Sequence, residues 1–327
     1  LKVDAEIKMG VVGVGHLGLR HAEAISGMDD VVLSGIYDTR REVADEAGSY
    51  LSCRVFQDYD SLLGSVDAVS VVVPTDRHFD VATRALDAGR HVLVEKPITE
   101  NLDEAAALVQ QARERRLVLQ VGHVERFNPA FSLAREFIVR PMFIESHRLA
   151  PFVKRGTEVD VILDLMIHDI DLVLSVMGSE IREIWAVGVP VITPSVDIAN
   201  VRLTFSGHRA VSLTASRIST KRMRKLRVFQ QDMYISMDFL MRRSEIYRIE
   251  RRGEAPLFQE KILEDDGSVN PLANEIAAFA ESVRNGRTLL GVTGEEAMKA
   301  MEYALKIREC MVIPPRDTDG VMGKARC

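Results

Sequence analysis

From residue 7 to about residue 122, short β-branched runs alternate with stretches of helical periodicity, the rhythm of a parallel sheet with crossover helices. The runs Ile7 to Val14, Val31 to Tyr37, Ala68 to Val73, His91 to Val94 and Val118 to Val121 predict strands, and His16 to Met28, Arg40 to Gly48, Asp76 to Ala88 and Asn101 to Arg115 predict helices. Gly89 is placed to end a helix in a left-handed cap. After Asn128-Pro129 the rhythm changes. A helix over Ala130 to Val139 is followed by strands at Met142 to Leu149, Ile181 to Pro190, Ala199 to Phe205, Arg209 to Ser216, Leu226 to Gln230, Met233 to Asp238 and Ser244 to Ile249. Short turns such as Ser206-Gly207 and Gln231-Asp232 imply antiparallel pairing. One long helix, Val159 to Met177, interrupts this series, and the tail from Asn270 to Val312 returns to helix.

The fold class expected is therefore an α/β Rossmann half with a parallel sheet, followed by an α+β half with a mostly antiparallel open sheet. Residues 1–124 form the first domain in this reading and 125–327 the second, which would carry the substrate site and the oligomer contacts.

Bulk properties narrow the function. With 46% hydrophobic and 28% charged residues over 327 positions, the chain reads as two globular domains with their own cores. A net charge of -6 gives no general attraction to nucleic acid or to an anionic membrane. The expected partner is a small molecule. Cys53, Cys310 and Cys327 are widely separated and form no CxxC pair, so neither a disulfide framework nor a metal site is suggested. Charges among the first residues and the lack of a membrane-length apolar run make a cytoplasmic location the expectation.

Gly13-Val14-Gly15-His16-Leu17-Gly18 is a GxGxxG that follows a predicted strand and opens a predicted helix. In a dinucleotide site the glycines allow a tight turn, close approach to a pyrophosphate and close helix-to-strand packing, while the helix N-terminus offers N–H groups to phosphate. Asp38 ends the second strand, where a ribose-binding carboxylate is expected; the plainer alternative is that it only caps the next helix. Asp38 favours NAD by repelling a 2'-phosphate, whereas Thr39-Arg40-Arg41 could admit NADP, so NAD is the expected cofactor with NADP open.

Glu95-Lys96-Pro97 sits at the carboxyl end of the fourth strand, the edge at which ligands bind in open α/β sheets. Lys96 there can hydrogen-bond a reacting oxygen, although an isolated Glu-Lys-Pro is more often a surface turn. Pro74, Thr75 and His78 end the third strand in the same plane, available to a cofactor. Along Val159 to Met177 the polar residues Asp160, Asp164, His168, Asp171 and Ser175 step by four, four, three and four, a single helical stripe. Asp164 one turn from His168 suits an oriented general base; a solvent-facing stripe explains the same spacing.

Together the glycine loop, the strand end Pro74 to His78, Glu95-Lys96-Pro97 and the Asp164-x-x-x-His168 pair resemble the glucose-fructose oxidoreductase and inositol dehydrogenase family, Gfo/Idh/MocA. That resemblance covers nearly the whole chain. It implies a Rossmann domain, a substrate domain built on an antiparallel sheet, and a reacting carbinol flanked by Lys96 and His168 with Asp164 in support. It leaves open which of Lys96 and His168 carries the proton. It also implies a homodimer or homotetramer. Gly122 to Pro129, with Arg126 and Asn128, and Ser219 to Lys225, with Lys221 and Arg224, are similar to members acting on nucleotide-linked aminosugars, UDP-N-acetylglucosamine 3-dehydrogenases in particular. The six cations from Arg217 to Arg227 could meet a diphosphate or simply guard a solvated strand edge. Two alternatives remain at this stage: an inositol, cyclitol or free-sugar dehydrogenase of the same family, and a dinucleotide-sensing regulatory protein without turnover.

Overall fold

A computed structural model of the chain describes residues 6–153, 159–178, 180–252 and 255–314. Residues 1–5 and Cys327, used in the reading of compartment, lie outside them. In chain order the first elements are β1 (Ile7–Val12), α1 (His16–Ser26), β2 (Val31–Tyr37), α2 (Arg41–Leu51), α3 (Tyr59–Leu63), β3 (Ala68–Val71), α4 (His78–Asp87), β4 (His91–Glu95), α5 (Leu102–Arg115) and β5 (Leu119–Gly122). The second half holds α6 (Pro129–Ser132), β6 (Phe143–Leu149), α7 (Ile167–Met177), β7 (Ile181–Val189), β8 (Ile198–Phe205), β9 (Arg209–Ser216), β10 (Met223–Gln230), β11 (Met233–Asp238), β12 (Arg243–Arg252) and β13 (Ala255–Glu264). The tail adds α8 (Pro271–Asn285), β14 (Val292–Thr293), α9 (Gly294–Glu309) and β15 (Met311–Val312).

Contacts group the chain into two units, Leu1–Phe127 with Asn270–Lys299, and Asn128–Val269 with Ala300–Cys327. The first unit holds a six-stranded sheet in the order β14-β5-β4-β3-β1-β2. Its strands β1 to β5 are parallel and only the short β14 runs against its neighbour. Strands β3 and β5 are buried along their whole length, on both faces of the sheet, which is why such strands read as continuous apolar runs rather than alternating ones. The second unit holds a nine-stranded sheet in the order β13-β12-β11-β10-β6-β9-β8-β7-β15. It is antiparallel except where β6 meets β9 and β15 meets β7. One face of this sheet packs its alternate residues, among them Ile144, Val201, Leu213 and Val228, in a core with Ile170, Leu172 and Val173 of α7 and Tyr303 and Ile307 of α9.

The tail departs from the expected division. Ile276, Phe279, Ala280 and Val283 of α8 pack in one core with Ala22 and Ile25 of α1, so α8 belongs to the first unit although it follows the whole second sheet in sequence. The apolar stripe of α8 predicts a helix but not the surface it covers. Three short elements, α3, β14 and β15, and the edge strand β13 depart from the expected pattern. The helix expected over Ala130 to Val139 is instead the single turn α6 followed by a 3-10 turn at Arg135–Phe137. No helix among the described residues is long and apolar enough to cross a membrane.

Candidate active site

The chain leaves β1 at Val12 and turns at Gly13, whose φ of 82° is a left-handed conformation suited to glycine. The Gly13 N–H donates to the Tyr37 carbonyl at 2.8 Å, and a Cβ at Gly13 would collide with the Val72 carbonyl oxygen. Gly18 lies directly against the turn, where a Cβ would strike the Gly13 carbonyl. Gly15 differs. A Cβ there would meet only Nη2 of Arg40, at 3.6 Å, so the space above this residue is open. Gly15 is the N-cap of α1 and no side chain caps the first turn, which leaves main-chain N–H groups and the positive helix end directed toward that space. A dinucleotide pyrophosphate fits such a loop, with His16 and the 45% exposed Leu17 on its rim.

Asp38 follows β2, and its carboxylate is 7% exposed. Oδ2 accepts the Val14 N–H at 2.9 Å and Oδ1 accepts the Arg40 N–H at 2.9 Å. It therefore ties the glycine loop to the loop after β2 rather than capping α2, whose N-cap is Arg40 with no side-chain bond. Thr39 and Arg40 are exposed beside it.

At the ends of β3 and β4 the expected residues part into two groups. Pro74 is exposed and Thr75 half-buried at the sheet edge. His78, expected to face a cofactor, is 1% exposed, with Nδ1 at 2.8 Å from the Pro97 carbonyl and Nε2 at 2.9 Å from the Val73 carbonyl. Burial holds its imidazole below the ordinary histidine range, and a neutral ring donates to one of these carbonyls. Both ring nitrogens of His78 thus face main-chain carbonyls, one at the end of β3 and one at the cis Lys96–Pro97 bond, and neither is directed toward a ligand.

Glu95 points back into the sheet. Its Oε1 is 3.1 Å from Nε2 of His21 on α1, and its Oε2 accepts the Lys96 N–H at 3.2 Å. Burial alone would raise the Glu95 pKa; the hydrogen bond from His21 and the Lys96 ammonium and N–H outweigh it and hold the carboxyl below its ordinary range. Nδ1 of His21 lies 2.8 Å from Oγ of Ser70 on β3. Neither His21 nor Ser70 was singled out in the sequence. The one available signal was a histidine on the face of α1 that otherwise carries the buried Ala22 and Ile25. Lys96 is half-buried at the strand end.

In the second unit the helix of the polar line begins irregularly. Ile162–Met166 form a π-helical turn that contains Asp164 and runs directly into α7, which carries His168. Such wide turns are rare and concentrate at functional sites. They also reduce the rotation per residue, so the line from 160 to 175 does not follow a straight α-helix. The structure divides that line. Asp160 caps the turn, accepting the Ile162 N–H at 2.9 Å, and pairs with Arg308 at 2.8 Å. Asp171 is 2% exposed, so the stripe is not a solvent face, and Ser175 donates to the Leu172 carbonyl. Asp164 and His168 remain half-buried. Beside His168, Asp169 holds a buried bidentate pair with Arg148 of β6, Nε to Oδ2 at 2.9 Å and Nη2 to Oδ1 at 3.0 Å, which fixes α7 to the sheet.

The remaining substrate candidates are reassigned in part. Asn128 is a helix cap: its Oδ1 accepts the Ala130 N–H and its Nδ2 donates to the Phe239 carbonyl. Arg126 pairs with Glu296 at 3.0 Å. Of the basic run, Arg217 is buried against Asp197, Lys225 pairs with Asp238 and Arg227 with Glu145, whereas Lys221, Arg222 and Arg224 are exposed.

Comparison with known proteins agrees with this architecture. Residues 7–123 match the model described as "Oxidoreductase family, NAD-binding Rossmann fold" and residues 140–235 match the Gfo/Idh/MocA C-terminal domain. The chain is 40% identical over 310 residues to a UDP-N-acetylglucosamine 3-dehydrogenase of Acidithiobacillus ferrooxidans, covering 92% of this chain and 96% of that protein. It is 26% identical over 329 residues to a scyllo-inositol 2-dehydrogenase (NAD(+)) of Bacillus subtilis, covering 93% of each. A solved structure of the Acidithiobacillus enzyme superposes with a TM-score of 0.86 at 39% identity over 94% of this chain and 98% of that one. The fold is shared as well with a Lactobacillus casei scyllo-inositol dehydrogenase solved with NAD(H) and scyllo-inositol, at a TM-score of 0.77 and 23% identity, covering 94% and 97% of the two chains. With a dinucleotide loop, a Glu-Lys-Pro strand end and a mostly antiparallel second sheet, the chain belongs to the Gfo/Idh/MocA family of NAD-binding oxidoreductases.

Proposed function

We propose that the chain is an NAD-dependent dehydrogenase of a nucleotide-linked aminosugar, with UDP-N-acetylglucosamine as substrate and its 3-hydroxyl as the group oxidised. The observation that carries this reading is the 40% identity, sustained over 92% of this chain and 96% of the other, with a UDP-N-acetylglucosamine 3-dehydrogenase. In this reading Gly13, Gly15, His16, Leu17 and Gly18 hold the pyrophosphate, and Asp38 accepts from the ribose, which favours NAD over NADP. Pro74 and Thr75 line the cofactor at the sheet edge. Bound NAD supplies the hydride acceptor. Lys96 donates to the sugar oxygen, His168 takes the hydroxyl proton and Asp164 orients the imidazole, a division of labour that suits an ammonium and a neutral imidazole. Lys221, Arg224 and Arg126 are assigned to the diphosphate of the substrate.

The chain works in this reading as a homodimer or homotetramer in the reducing cytoplasm. Support for the assembly comes from the outer face of the second sheet, where Phe143, Phe229, Tyr234 and Tyr247 stack across four strands at centroid spacings of 5.5, 5.0 and 5.7 Å and Phe229 is 37% exposed. A second copy of this chain is the proposed cover, with the rim pairs Glu145–Arg227 and Lys225–Asp238 offering both signs of charge to their counterparts.

The test is nicotinamide reduction by the purified chain with UDP-N-acetylglucosamine, UDP-glucose, free N-acetylglucosamine and scyllo-inositol. Turnover with the first alone, and product oxidised at carbon 3, is the expected result. Preference for the inositol would place the chain with the cyclitol dehydrogenases that it matches at lower identity, and NAD binding without turnover on any alcohol would make it a sensor.

A further inference from the structure

Three polar side chains meet inside the parallel sheet of the first unit: Ser70 on β3, 0% exposed, His21 on α1, 1% exposed, and Glu95 at the end of β4. The His21 ring spans the other two, 2.8 Å from the Ser70 oxygen and 3.1 Å from Glu95 Oε1. One arrangement satisfies every group with a neutral ring: Nε2–H donates to the carboxylate and the serine hydroxyl donates to Nδ1. The order serine, histidine, carboxylate is that of a nucleophilic triad, but Ser70 and His21 are closed to solvent and no substrate reaches the hydroxyl. Stability does not call for the chain either, because buried charged networks are often no more stabilising than apolar side chains of the same shape.

The end that is not sealed in the core is Glu95, whose Oε2 accepts the Lys96 N–H and whose charge is felt by the Lys96 ammonium. We propose that His21 is a positioning residue for Lys96: anchored on α1 and β3, it pins the Glu95 carboxylate in one orientation and keeps a fixed anion against which the Lys96 ammonium is held. The helix that presents the glycine loop and the strand end that presents the lysine are then joined by one hydrogen-bonded chain. This inference rests on the reading of Lys96 as a catalytic residue.

A change in pH dependence follows. Glu95 is faced by His21 from α1, by the adjacent Lys96 and by the buried, neutral ring of His78 from α4, while β3 offers the neutral Ser70 and β5 offers Gly122, without a side chain. With leucine in place of His21 the donor is lost and burial dominates, so Glu95 takes up a proton at higher pH and the anion under Lys96 disappears.

The experiment measures kcat and KM from about pH 5 to about pH 9 for the full chain and for His21→Leu, His21→Gln, Ser70→Ala and Lys96→Met, with NAD affinity and melting temperature recorded for each. The substrate is the one that gives turnover in the panel above. His21→Leu is expected to keep its KM values, to lose about tenfold or more in kcat below neutral pH, and to move the acid limb of kcat upward by about one unit. Glutamine can still give an N–H to Glu95 and accept from Ser70, so His21→Gln restores most of the rate. Ser70→Ala shifts the limb in the same direction by less and serves if His21→Leu does not fold. A wild-type pH profile in His21→Leu, or a glutamine variant no better than the leucine one, overturns the inference while leaving Lys96 in place. Wild-type turnover in Lys96→Met overturns the catalytic reading itself and this inference with it.

Discussion

Gly122 on β5 lies against the carboxylate of Glu95 on β4, so close that a Cβ at Gly122 would stand 2.7 Å from Oε1. The end of a glutamate side chain normally moves aside, but this one is held by His21 and by the Lys96 N–H. Gly122→Ala is therefore expected to displace the carboxylate and lose about 1–3 kcal/mol of stability. Its kcat should fall more than its NAD affinity, since the glycine loop is untouched. Unchanged kcat in a folded Gly122→Ala variant would show that the orientation of Glu95 is of no consequence.

The three loop glycines make separable predictions. Alanine at Gly13 or Gly18 must collide with main-chain oxygens of Val72 or Gly13, so both variants should melt lower as well as bind NAD weakly. Alanine at Gly15 meets only the flexible Arg40 and should leave the melting temperature near wild type while NAD affinity drops at least about tenfold, because the methyl stands where the pyrophosphate approaches. Calorimetric melting and NAD titration of the three variants check this.

Asp38 sets the expected preference between cofactors. Replacing it with alanine removes an acceptor for the ribose and a repulsive charge, leaving Arg40, 66% exposed, beside the loop. A charge-assisted hydrogen bond is worth about 1.5–3 kcal/mol, so kcat/KM for NAD should fall roughly 10- to 100-fold while that for NADP rises or holds. An unaltered ratio of the two would remove Asp38 from cofactor selection.

Asp197 makes a stability prediction with a definite sign. It is wholly buried, and it accepts the N–H groups of Val191 and Thr193 at 2.8 Å each, the Thr193 hydroxyl at 2.7 Å and Nε of Arg217 at 2.9 Å. Burial pushes its pKa up, but the bonds from Thr193, Ile192 and Arg217 outweigh burial and hold it far below the ordinary carboxylate range. A depressed folded value means that the stabilisation is fully present above the unfolded value of about 3.9 and is lost as the pH falls through the folded one. Asp197→Asn leaves Arg217 buried without its anion and should lose about 3–5 kcal/mol at neutral pH. In urea unfolding of the full chain, the gap between wild type and variant should narrow only below about pH 4.

For the substrate, Lys221→Ala and Arg224→Ala are expected to raise KM for UDP-N-acetylglucosamine by about threefold to tenfold each, more at low salt, with KM for NAD unchanged. Equal effects on a sugar without a diphosphate would return this run to the role of a guarded strand edge.

What the order of residues determined by itself is the local chemistry. A GxGxxG between an apolar run and a helical stretch carries its geometry within six positions, and β2, β9 and β11 run between the residues that the pattern indicated, because a β-branched or alternating run bounded by turn residues is a property of neighbours. Tertiary structure decided everything that depends on which distant residues meet. Ser70, His21 and Glu95 come together only because β3, α1 and β4 are adjacent in the folded sheet, His78 turns inward because two carbonyls await it there, and α8 joins the first unit because its apolar stripe fits α1. The edge strand β13 is placed by the ladder it forms with β12, a pairing with a partner strand that its own residues do not specify. A side chain's type is written in the sequence, but whether its polar atoms face a ligand or its own main chain is set by the desolvation and pairing that folding imposes.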